Sequence, residues 1–99
     1  MFTFRDKLYV SDNINVSRAK WKIKTGRGQF DIYLIVFNHD NNKLEYFHNG
    51  ILKQKILLKK DWDVVGLAKG EDECQKLVTQ IINETYESTG GYNIADYLG

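Results

Sequence analysis

The sequence predicts a small α+β domain in which a central sheet of three to four mostly antiparallel strands packs against a C-terminal amphipathic helix. Three observations predict it. Cys74, Leu77, Val78, Ile81, Ile82 and Thr85 recur at the i, i+3, i+4, i+7 spacing of one helical stripe. Phe30 to Phe37 is a nearly continuous apolar run of strand length, the signature of a strand covered on both faces at the sheet centre. Lys43 to His48 alternates after the polar turn 38–42 and returns as an antiparallel hairpin arm, with Leu44 and Tyr46 on one face and Glu45 and Phe47 on the other.

The elements follow in order. Leu8-Tyr9-Val10 is a short strand, ended by Ser11-Asp12-Asn13 as a turn or a helix cap. Residues 14–25 fit two patterns. Read as a strand, Ala19, Trp21 and Ile23 alternate with Lys20, Lys22 and Lys24. Read as a helix, Ile14, Arg18 and Trp21 share one stripe and Val16, Ala19 and Ile23 another, with Asn13 as the cap and Gly26 as the stop. Length and the Ala, Arg and Lys content favour the helix. After the hairpin, Asn49-Gly50 breaks the chain, and 51–58 suits a helical turn or an irregular edge. Val64 to Ala68 reads as a short buried strand, and Gly70 leads into the helix at 71–89. Glu71, Asp72 and Glu73 complement the helix dipole in the first turn, and Gly90-Gly91 end the helix in a left-handed cap. Asn93 caps a last turn in which Ile94 and Leu98, four apart, pin the tail to the body.

The stretch Val64-Val65-Gly66-Leu67-Ala68-Lys69-Gly70, followed by Leu77-Val78 and Ile81, resembles a pattern in short uncharacterised bacterial proteins. Those proteins also carry a Tyr-Leu-Ile strand, here Tyr33-Leu34-Ile35, and an apolar tail after Thr-Gly, here Thr89-Gly90. The resemblance spans residues 13–99, rests on core and turn positions, and implies no activity.

With 99 residues and no repeat, low-complexity tract or linker, the chain reads as a single domain, 1–99. Its 42% hydrophobic and 13% aromatic content argues against disorder. No run approaches the roughly 18 apolar residues of a membrane span, and the N-terminus lacks the apolar segment of a secretory signal. The single Cys74 cannot form an internal disulfide, so the expectation is a reduced, cytoplasmic chain without a membrane partner. The net charge of +1 hides an asymmetry: residues 1–60 hold 12 basic and 5 acidic groups, and residues 61–99 hold 2 basic and 8 acidic. Such a split marks either a polyanion site on the basic half or attraction between the halves.

Residues that could carry chemistry are few. Arg18, Lys20, Lys22, Lys24 and Arg27 surround Trp21 without an acid, a composition able to neutralise phosphates and stack a base. The competing reading is a solvated basic face with Trp21 in the core. Lys53, Lys55, Lys59 and Lys60 extend the basic character, so segments 18–27 and 53–60 together form the nucleic-acid hypothesis. Val64 to Glu71 has only a weak likeness to a phosphate cradle, since the helix opens with three acids and no Gly-Lys-Ser/Thr is present. His39 and His48, with Asp40, lack the close ligand spacing of a zinc site and read as exposed loop histidines. Cys74 lies on the apolar stripe and reads as an inert buried thiol. Asp61/Asp63 and Glu71/Glu73 read as solvated turn acids rather than an acid–base pair.

No catalytic set, metal or cofactor is therefore expected. The leading functional expectation is a non-enzymatic interaction module that binds another protein or itself, through partly exposed aromatics such as Phe47, Tyr92 and Tyr97. The alternative is a nucleic-acid-binding accessory protein that uses the basic segments.

Overall fold

The computed structural model describes residues 2–12, 14–24, 32–39, 42–48 and 61–98. Four strands, β1 (Phe2–Val10), β2 (Ile32–Asn38), β3 (Lys43–His48) and β4 (Trp62–Lys69), form one sheet in the order β1-β4-β2-β3. Helix α1 (Val16–Lys24) covers one face, and helices α2 (Glu71–Thr89) and α3 (Ile94–Leu98) cover the other. The α+β class and the C-terminal helix are as the sequence predicts.

β2 is an interior strand, antiparallel to both β3 and β4. Its Leu34, Ile35 and Val36 have no exposed surface, which is why its sequence is apolar throughout rather than alternating. The hairpin has the expected facing: Leu44 packs with the cluster under α2 and Phe47 with the cluster under α1. Asn42 adopts a left-handed conformation in the connecting turn (φ 54°).

Two features depart from expectation at the other edge. β1 extends back to Phe2, and it runs parallel to β4, so the sheet is mixed. Its register jumps from Phe4↔Val64 to Tyr9↔Gly66, a bulge that includes Arg5. β4 is irregular at the same level. Ile35 pairs with Gly66 and Val36 with Val64, leaving Val65 extra. The extra residue flips the alternation, so Val64 and Leu67 serve the α1 face while Val65 and Ala68 serve the α2 face. Gly66 is required there by close approach. A Cβ would meet the Tyr9 carbonyl oxygen at 2.9 Å and Ile35 Cδ1 at 3.1 Å.

Residues 16–24 are helical, which resolves the two readings of 14–25. The cap is Asn15 and not Asn13: Asn15 Oδ1 accepts from the Arg18 backbone N–H at 3.1 Å. Asn13 and Gly26 lie outside the described residues, as do 49–60 and with them the second lysine cluster. Ala19 and Ile23 are buried against the sheet, while Arg18 and Trp21 face outward. The core placement of Trp21 is thus corrected, because the other stripe of α1 meets the sheet.

α2 buries Cys74, Leu77, Ile81 and Thr85, with Val78 and Ile82 packed at the flanks. The buried Thr85 hydroxyl donates to the Ile81 carbonyl at 2.8 Å, so it leaves no unsatisfied donor in the core. Gly90 closes the helix with φ 74° and donates its N–H to the Tyr86 carbonyl at 2.8 Å. Beyond it Asn93 caps α3, accepting from the Ala95 N–H at 3.1 Å, and Ile94 is buried beneath α2.

Candidate functional site

Three regions hold the side chains that could act. The first is an open groove of about 480 Å³ at the end of the sheet where β1 and β4 begin and β2 ends. Register builds it. Thr3 on β1 and Phe37 on β2 both pair with Asp63 on β4. Arg5 and His39, each two residues further along, therefore converge on that carboxylate from both sides. Arg5 Nε and Nη2 donate to Asp63 Oδ1 and Oδ2 at 3.1 and 2.8 Å, a bidentate pair. Arg5 Nη1 donates to the Leu98 carbonyl at 2.8 Å and so ties β1 to the end of α3. His39 Nε2 lies 2.7 Å from Asp63 Oδ2, and its ring meets Phe37 edge-on at 4.6 Å.

Asp63 is thus a half-buried strand residue, not a solvated turn acid. Burial by itself would raise its carboxyl pKa. The hydrogen bonds from Arg5 and then His39 outweigh that, and the group titrates below its usual range. An ionised carboxylate only accepts, so His39 Nε2 carries the proton of the pair. The arrangement orients one imidazole and neutralises one guanidinium. No nucleophile is hydrogen-bonded to that imidazole among the described residues, and no cluster of three or more His, Cys, Asp or Glu there could hold a metal ion. His48 is a half-buried β3 residue whose ring packs edge-on against Tyr33, so the two histidines are not a loop pair. Cys74 has no exposed surface, and burial, then Glu71, push its thiol up to about 11, consistent with an inert thiol.

The second region is the aromatic surface at the C-terminal end of α2. Tyr86 and Tyr92 stack with ring centroids 5.1 Å apart at 25°, and they stay 51% and 68% exposed. The Gly90-Gly91 turn folds Tyr92 back over the last turn of the helix. The other two aromatics singled out from sequence are engaged. Phe47 packs on Trp62 at 5.0 Å, and the Tyr97 hydroxyl is 2.8 Å from that of Tyr9. Burial first, then the Tyr97 and Glu84 contacts, push the Tyr9 phenol well above its ordinary value.

The third region is the outer side of α1. Trp21 is 52% exposed, and Arg18, one turn earlier, is exposed beside it. Lys20 lies over the Phe4 ring at 5.5 Å from its centroid. The side chains of Lys22 and Lys24, and all of Arg27, lie outside the described residues. Sequence reasoning missed the Arg5–Asp63–His39 cluster because its members are 24 to 58 residues apart, and only strand register unites them. The Tyr86–Tyr92 pair was legible in part: Tyr86 falls off the apolar stripe, and a Gly-Gly turn separates it from Tyr92.

No helix among the described residues is long and apolar enough to cross a membrane. No family model matches the chain, and no curated protein or solved structure matches it.

Proposed function

We propose that the protein is a non-enzymatic binding module that recognises a protein partner through the exposed Tyr86–Tyr92 surface. The stacked pair carries this reading. Two large rings held together by a helix end and a Gly-Gly turn offer apolar area whose geometry is already set, so docking loses little side-chain entropy. Tyrosine is also enriched where interfaces concentrate their binding energy. The Arg5–Asp63–His39 cluster serves this function as a clasp. It holds β1, β4, the end of β2 and the C-terminal turn in one arrangement, and so fixes the body from which the aromatic surface projects.

A photo-crosslinking residue placed at Tyr92, with a control at the exposed Thr79 on the same helix, tests this in cells. The expected result is a discrete protein adduct at position 92 that is absent from position 79 and lost with Tyr86→Ala. Equal labelling at both positions, or none, refutes the reading.

The exposure of Trp21 beside Arg18 favours a second reading, binding of single-stranded nucleic acid along α1. It requires oligonucleotide binding that weakens steeply with salt and is lost with Trp21→Ala. No gel shift at low salt eliminates it.

A further inference from the structure

Resting on the binding-module reading, we infer that the occupant of the Tyr86–Tyr92 surface is helix α1 of a second copy of this chain, so that copies associate head to tail. Two independent properties select a cationic occupant. The first is electrostatic. The C-terminal end of α2 carries the negative pole of the helix dipole, and no basic residue lies in its last turn. The exposed Glu87 adds formal negative charge there and has no ion pair among the described residues. The lone base on α2, Lys76, is paired with Glu73 at 3.2 Å, near the opposite end. The second is aromatic. The faces of two exposed tyrosines attract a guanidinium or ammonium group.

The chain itself supplies the complement. α1 contains Arg18, Lys20, Lys22 and Lys24 and no acid, and it presents an outward Trp21 beside Arg18. A planar guanidinium stacks on a tyrosine ring while the indole adds apolar area. Because α1 and α2 lie on opposite faces of the sheet, a copy's own α1 cannot reach its own tyrosine pair, and the contact forms between molecules. The excess of seven positive charges in residues 1–60 and of six negative in 61–99 has the same sense. Unlike patches on opposite faces make a heterologous contact, which closes as a ring or continues as a chain of copies.

Sedimentation velocity on the full chain tests this, from about 5 to about 500 µM protein at about 20 mM and about 500 mM salt. The expected result is concentration-dependent growth beyond a dimer at low salt, weakened about tenfold or more at high salt, by Tyr92→Ala, by Glu87→Lys and by Arg18→Glu. All three substituted positions are exposed, so the variants fold. Each charge variant alone repels itself, and an equimolar mixture of Glu87→Lys with Arg18→Glu restores association, because its contacts are again opposite in sign. A strict monomer throughout, or a mixture that fails to restore association, overturns the inference. The crosslinked adduct at position 92 separates this from the parent reading. A mass of two chains supports both, an adduct with a different protein leaves the binding module standing and overturns self-association, and no adduct overturns both. Oligonucleotide binding by a chain that stays monomeric also overturns it.

Discussion

On one face of the sheet a 19-residue helix and the C-terminal turn bury Tyr9, Ile35, Phe37, Val65, Ala68, Cys74, Leu77, Ile81 and Ile94 together. On the other, among the described residues, a nine-residue helix lays Ala19 and Ile23 on Ile32, Leu34, Val36, Val64 and Leu67, and half-buried Phe4, Leu8, Val10, Ile14, Phe47 and Trp62 pack around them. The long helix has enough turns to define its own buried stripe, and it is closed by acids at its start and a glycine cap at its end. Among the described residues the short helix has one side-chain cap and two buried side chains, so its conformation is set by the sheet it touches. Core stability should therefore concentrate on the α2 face, and the α1 face should open first.

The largest expected effect tests that asymmetry directly. Ile81→Ala should cost about 4 kcal/mol and Ile23→Ala about 2 kcal/mol in urea unfolding, because the end of a short helix can settle into the space left and the middle of a long one cannot. Equal costs would break the comparison. Gly66→Ala, at the bulge shared by both faces, should cost about 3 kcal/mol, since the Cβ clash involves the Tyr9 backbone oxygen, which cannot rotate away. A loss below about 0.5 kcal/mol would show that β1 yields easily.

Asp63→Asn should cost about 2 kcal/mol at neutral pH, as it leaves the half-buried Arg5 guanidinium without its carboxylate. The sign of the pH dependence follows from the lowered carboxyl pKa. The contribution is fully present above the unfolded value of about 4 and is lost as pH falls through the lower folded value, because the unfolded chain binds the proton first. The variant should have a shallower acid limb, measured by unfolding from neutral to acid pH. The smallest effect is expected at the thin face: Asn15→Ala should cost about 1 kcal/mol and raise amide exchange in 16–19 while leaving 71–89 unchanged. Faster exchange in both helices would show that the faces open as one unit.

What could be read from the sequence follows the same division. Glu71–Thr89 needed only its own periodicity and end signals, and β2 and β3 only an apolar run, an alternation and the turn between them. These patterns are local, so neighbouring residues suffice to specify them. The segment 14–25 satisfied both periods, and contact with the sheet decided between them; the same contact turned Trp21 outward. Arg5, His39 and Asp63 carried no linear signal. Their meeting required β1 to lie parallel to β4 and β2 antiparallel to it, a pairing choice that alternation within one strand does not encode. The stacked Tyr86 and Tyr92 likewise needed the left-handed turn at Gly90 to bring the second ring back over the helix end. The sequence by itself thus determined the elements whose hydrogen bonds and buried stripes close within a short stretch. Tertiary structure decided which distant side chains share a face, because strand order and register are settled by packing between elements, not within them.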